Sequence, residues 1–215
     1  MDNFIKKVFG KGIFGTGWLN AAIDIVLAAA VYFTDTIYDL LNHGPAVLNL
    51  HTPIDSALPV VTPFVIPYVS LEPFVYATLI IFLLCNTRVF QSACLSMLTA
   101  WFVSYGFYYF LQTEVVRPVL TGSDALTQMI RNVYATDNPY NDFPSLHTSI
   151  STILAIHWFR LERRIAIPVA VWVVLIVAST VLVKQHYVAD VASGLLLAFG
   201  ASWLYISLLL KNTKA

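Results

Sequence analysis

Long apolar stretches, broken by short polar ones, dominate this chain. A membrane-crossing helix needs roughly 20 mostly apolar residues. Six stretches meet or approach that length: Trp18 to Asp39, Phe64 to Leu84, Val89 to Leu111, Pro144 to Phe159, Ile165 to Val183, and Val188 to Leu210. The fourth is short. The pattern predicts an all-α integral membrane protein, a six-transmembrane-helix bundle. Its domains are a basic interfacial N-terminal segment, residues 1–17, one membrane domain over 18–210, and a cytoplasmic tail, 211–215. Glu72 and Pro73 interrupt the second stretch. After Ser123, which is placed to cap a helix, Leu126, Met129, Ile130 and Val133 fall on one face, predicting a short amphipathic helix over the membrane surface.

Composition agrees with this pattern. The 215 residues are 58% hydrophobic and only 11% charged, against about 25% charged in a soluble globule. A net charge of zero offers no nucleic-acid partner. The two cysteines, Cys85 and Cys94, have neither metal-site nor disulfide-framework spacing and read as packing residues.

Charge becomes informative when it is sorted by loop. With both termini on one side, that side holds Lys6, Lys7, Lys11, Arg88, Arg160, Arg163, Arg164, Lys211 and Lys214, and the other holds Arg117, Arg131 and Lys184. The bias predicts cytoplasmic termini. The second side faces outward, and a bacterial plasma membrane is the expected location. Its loops, LNHGPAVLNLHTPIDSALPVVTP and RPVLTGSDALTQMIRNVYATDNPYND, carry most of the unusual residues.

Three clusters sit at the outer ends of the spans. Arg117-Pro118 follows the third, FPSLH (143–147) opens the fourth, and KQHYVAD (184–190) joins the fifth to the sixth. His186 and Asp190 lie four apart, one turn on a helix face. A carboxylate on one ring nitrogen leaves the other aimed outward, as a positioned nucleophile or base. Lys184 adds positive charge for an anion. Pro144 suits a first helical turn, whose N–H groups favour phosphate. Ser145 adds a hydroxyl donor. His147 is placed to protonate a leaving oxygen, and Arg117 offers a planar fork for phosphate oxygens. Together these groups describe a phosphoryl-transfer site. No carboxylate cluster is available for magnesium, so no metal or other cofactor is expected.

The clusters resemble the type 2 phosphatidic acid phosphatase superfamily of lipid phosphate phosphatases and phosphotransferases, whose pattern is K-x6-R-P, P-S-G-H and S-R-x5-H-x3-D. Arg117-Pro118 matches the end of the first element, with Phe110 in the lysine position. Residues 144–147 match the second, with Leu146 for glycine. Ser179, His186 and Asp190 match the third, with Thr180 for arginine. The resemblance covers residues 55–205. PSLH, KQHY-x2-D and the run 52–74 are similar to the branch that includes inositol phosphorylceramide synthases. It implies a phosphohistidine on His186, orientation by Asp190, acid–base work by His147, and phosphate held by Arg117, Lys184, Ser145 and amides near Leu146. The substrate would be a lipid phosphate or polyprenyl diphosphate.

Hydrolysis of a lipid phosphate at the outer face is the leading expectation, and transfer of the phospho-headgroup to a lipid or polyol hydroxyl the alternative. A transporter using Glu72, Asp24 and histidines is a remote third reading, because no repeated halves are visible. Asp142, Glu72 and Tyr187 are candidates for the substrate cavity. His43 and His51 read as loop histidines, His157 as an interfacial one beside Trp158, and Arg160-Arg163-Arg164 as a topology signal.

Overall fold

A computed structural model describes residues 11–46 and 48–210. The basic N-terminal segment is outside it as far as residue 10, as is the tail from residue 211. Among the described residues ten α-helices follow one another: α1 (Trp18–Asp35), α2 (Tyr38–Leu41), α3 (Pro53–Ala57), α4 (Val65–Val69), α5 (Leu71–Cys85), α6 (Thr87–Phe110), α7 (Ala125–Thr136), α8 (Leu146–Leu161), α9 (Arg163–Leu182) and α10 (Val188–Leu209). Among the described residues the only β pairing is three isolated bridges, such as Leu48 with Thr113.

Six helix segments answer the six apolar stretches, with two breaks. The first stretch ends as a helix at Asp35 and restarts as the one-turn α2. The second splits at Ser70 into α4 and α5, with Pro73 in the first turn of α5, where proline is tolerated. By length and composition four segments among the described residues can cross a membrane: Trp18–Leu41, Thr62–Cys85, Arg163–Leu182 and Val188–Leu209. That is the signature of a multi-pass integral membrane protein.

The other two, α6 and α8, are the central helices. Helix α8 packs against α5, α6, α9 and α10, and α6 against α1, α5, α8 and α10. A helix surrounded by protein does not need a lipid-facing surface. Accordingly α8 has only 16 residues and buries Thr148, Ser149, Ser151, Thr152 and His157, while α6 buries Ser92, Ser96 and Ser104. The outer helices carry most of the exposed grease, including Ile25 and Phe33 on α1, Val171 and Val174 on α9, and Leu196, Phe199 and Trp203 on α10, while α6 exposes Phe102, Tyr109 and Phe110.

Helix α7 lies where the sequence placed an amphipathic helix, but its cap is Asp124, not Ser123. The Asp124 carboxylate accepts the N–H groups of Leu126 (3.1 Å) and Thr127 (3.0 Å). Its apolar face packs as a small second core, with Ile130 buried against Val65, Tyr68 and Val183. Helix α7 thus covers α4 and the end of α9.

Candidate active site

The starts of α8 and α10 meet at one end of the bundle. Ser145 is the N-cap of α8, its hydroxyl accepting the Thr148 N–H at 3.3 Å. Pro144 stands just outside the helix rather than in its first turn. The Ser145 N–H donates to the Asp190 carbonyl at 3.1 Å, which ties the two helix starts together. They approach so closely that a Cβ at Gly194 would lie 2.7 Å from the Ser145 carbonyl oxygen. Glycine at 194 is therefore a condition of the site.

Asp190 is the third residue of α10. Its Oδ2 accepts the Tyr187 N–H at 2.7 Å, a capping interaction that fixes the carboxylate. That same oxygen lies 3.7 Å from His186 Nδ1, close enough for an ion pair and too long for a hydrogen bond. Asp190 Oδ1 and His186 Nδ1 are both buried with no hydrogen-bond partner among the described residues. The His147 and His186 rings are tilted to each other with centroids 6.1 Å apart, and Tyr68 stacks on the His147 ring at 4.3 Å.

Both histidines line a cavity of about 380 Å³, with Leu146, Glu72, Tyr38 and Asp137 among the other wall residues. The N–H groups of Leu146 and His147, at the open start of α8, make no hydrogen bond among the described residues. Arg117, Lys184, Ser145, Asp190, Asp142 and Tyr187 are not among the residues that line the cavity. Arg117, Lys184, Ser145 and Tyr187 hold hydrogen bonds, whereas Asp190 Oδ1 and Asp142 Oδ2 are buried with no hydrogen-bond partner among the described residues.

Arg117 donates from Nη1 to the Asp137 carbonyl (2.7 Å) and the Tyr134 carbonyl (3.2 Å), and from Nη2 to the Asn138 carbonyl (3.2 Å) and Gln185 Oε1 (2.5 Å). It also lies over the Tyr134 ring at 4.8 Å. The guanidinium thereby holds the loop after α7 against the loop before α10. Lys184, at a left-handed φ of 58°, donates to the carbonyls of Asp55 (2.8 Å) and Leu58 (2.6 Å). Tyr187 accepts the Val116 N–H at 2.9 Å. Asp55 accepts the Val188 N–H at 2.8 Å. The segment 184–190 is thus strapped to two outer loops. His51 bonds Ser56 at 3.0 Å and rests on the Tyr187 ring.

Carboxylates around the site are pulled in different directions. Burial alone would raise Asp55, but hydrogen bonds from Thr52 and Val188 bring its pKa below the ordinary value. Burial, helped by the Asp190 charge, pushes Asp142 well above it. Burial also raises Asp137, against the pull of Arg117. Asp137 is a wall residue that sequence reading passed over. Its Oδ1 accepts Asn42 Nδ2 (2.7 Å) and the Tyr38 hydroxyl (3.2 Å). Asp137 stood in the second outer loop and Tyr68 inside the second predicted span, and no spacing rule linked either to the histidines.

Two positions where the resembling family carries cations look different here. Phe110 is exposed at the end of α6, and Thr180 is buried with its carbonyl accepting the N–H groups of Gln185 and His186.

Residues 123–214, a little under half of the chain, match the family model described as the PAP2 superfamily. The matched stretch contains His147, His186 and Asp190. Neither the curated proteins nor the solved structures give a match. That stretch is similar to the PAP2 superfamily, and the match supports a phosphatase or phosphotransferase type of activity on phosphate esters.

Proposed function

We propose that this protein hydrolyses a phosphate or diphosphate monoester of a membrane lipid through a phosphohistidine at His186. The observation that carries the reading is the pair of histidines on one cavity wall, with Asp190 fixed behind the first and the open start of α8 beside the second. His186 Nε2 attacks phosphorus, and the bond from phosphorus to the leaving oxygen breaks while His147 gives that oxygen a proton. His147 then takes a proton from water. The water oxygen attacks phosphorus, the phosphorus–nitrogen bond breaks, and phosphate leaves with His186 restored. Asp190 stabilises the imidazolium. The free N–H groups of Leu146 and His147 take phosphoryl oxygens. Arg117 and Lys184 act by fixing the loops that present His186. The exposed apolar side chains of the outer helices and the charge bias of the loops support a cavity that opens to a bilayer lipid at the outer face.

The test uses the full chain in detergent with a panel of lipid phosphates, following free phosphate with and without EDTA. Release that survives EDTA and disappears in His186→Ala is expected. Release untouched by that substitution overturns the assignment. Transfer to an added lipid or polyol hydroxyl without phosphate release would instead make the enzyme a phosphotransferase.

A further inference from the structure

The two cavity histidines are held by different means. His186 has the Asp190 carboxylate 3.7 Å from Nδ1. His147, the second residue of α8, has neither ring nitrogen in a hydrogen bond among the described residues. Its ring instead lies on the ring of Tyr68, with centroids 4.3 Å apart and planes only 13° from parallel. A free imidazole turns broadly about its outer torsion. A carboxylate or carbonyl stops that motion by occupying one nitrogen. A stacked ring stops it without occupying either.

Tyr68 is itself fixed well enough to do this. It is buried, at 5% exposure, and belongs to the small second core with Val65, Ile130 and Val183. That core joins α4 to α7 and to Val183, which opens the turn leading to His186. Helix α4 is fastened again where it ends. The Ser70 hydroxyl donates to the Pro67 carbonyl at 2.7 Å and accepts the Trp172 Nε1–H at 3.0 Å, tying the break in the second span to α9. The Tyr68 ring lines the cavity, and its hydroxyl makes no hydrogen bond among the described residues. Packing of the ring, and not its hydroxyl, therefore sets its place.

Building on the hydrolase reading, we propose that Tyr68 is a positioning residue for that reaction: its face fixes the plane of the His147 imidazole and leaves both nitrogens free for proton transfer. A general acid must present its proton within hydrogen-bond reach of the leaving oxygen, and small misplacements are costly. The break in the second span is what turns α4 so that Tyr68 meets His147.

The experiment uses the full chain in detergent and two phosphates that share one long alkyl tail, an alkyl phosphate and a nitrophenyl phosphate, with kcat/KM read from phosphate release. Tyr68→Leu is expected to lower kcat/KM about tenfold on the alkyl phosphate, whose leaving oxygen needs the His147 proton, and less than about twofold on the nitrophenyl phosphate. Tyr68→Phe, which keeps the ring face, should restore most of the loss. In a His147→Ala background Tyr68→Leu should cost nothing further, because residues that act as a unit are not additive. Should Tyr68→Leu not fold, Tyr68→Met takes its place. Equal losses on the two substrates, no rescue by Tyr68→Phe, or full additivity with His147→Ala overturns the proposal. A second readout is independent of turnover. NMR of histidine-labelled protein, with the His147 signals assigned by their loss in His147→Ala, should show one ring orientation in the wild type and Tyr68→Phe, and averaging between orientations in Tyr68→Leu. A single unchanged orientation in Tyr68→Leu overturns the positioning role. Absence of phosphate release from both substrates by the wild type overturns the hydrolase reading, while the NMR readout still decides this one.

Discussion

Helix α8 carries two histidines ten residues apart, and they sit in opposite chemical situations. His157 is fully buried, with Nε2 bonded to the Ser92 hydroxyl at 2.9 Å and Nδ1 to the Ile153 carbonyl at 2.7 Å. Both ring nitrogens are used, so nothing is left for a substrate. The His147 ring makes no hydrogen bond among the described residues and lines the cavity, stacked on Tyr68. A satisfied histidine rivets two helices, whereas an unsatisfied one on a cavity wall is available for chemistry. The sequence reading set His157 aside as an interfacial residue. It proves to be a core residue joining α8 to α6, because the central helices are polar enough inside to bond it.

This comparison can be broken most sharply at His186, which neighbours His147 in the cavity. His186→Ala should lower kcat by about 10³-fold or more, measured as phosphate release, since the nucleophile itself is removed. His147→Ala should cost about 10²–10⁴-fold, the range for a lost general acid and base. The loss should shrink for substrates with a good leaving group, which need less protonation. His157→Ala should do the reverse. Ser92 loses its partner in the core, and thermal unfolding should show about 1–3 kcal/mol of destabilisation with kcat/KM retained. A catalytic loss in His157→Ala without destabilisation would erase the distinction.

Lys184 sharpens the same contrast between occupied and available groups. Lys184→Met removes two charged hydrogen bonds to the Asp55–Leu58 loop and should destabilise by about 1.5–3 kcal/mol. A rise in KM of about tenfold without loss of stability would instead mark Lys184 as a phosphate ligand.

The smallest effect concerns pH. Asp142 has a folded pKa above its unfolded one, so the folded state binds more protons between the two. Its contribution to stability is present below the unfolded value, about 3.9, and is lost as pH rises through the folded value. Asp142→Asn should flatten that fall in the unfolding midpoint. Asp55 has the opposite sign, because its folded pKa is depressed. Its contribution is present above the unfolded value and is lost as pH falls through the folded one. Asp55→Asn should flatten the acid limb.

Much of this was legible before folding, for reasons that differ between elements. Helices α9 and α10 begin and end within two residues of the apolar stretches that predicted them. They face lipid, and lipid demands an uninterrupted apolar run. Helix α8 was harder to read as a span, because it is enclosed by protein and carries hydroxyls that a lipid-facing helix would not. His186 and Asp190 were legible through their i,i+4 spacing at a helix start. Arg117 was legible as a residue but not in its use. Sequence offers a free guanidinium, whereas the structure surrounds it with carbonyls from a loop about twenty residues away.

The sequence by itself determined the apolar helices, the polar clusters at one set of their ends, and the four-residue spacing of His186 and Asp190. Those are local properties of composition and helical repeat. Only the tertiary structure decided which polar groups were free. Lys184 was taken by Asp55 and Leu58, His157 by Ser92, and Ser145 by its own helix start, while His147, His186, Asp35 and Glu72 were left along one cavity. Availability depends on which hydrogen-bond partners the fold brings within reach, and that is settled by contacts between residues far apart in the chain.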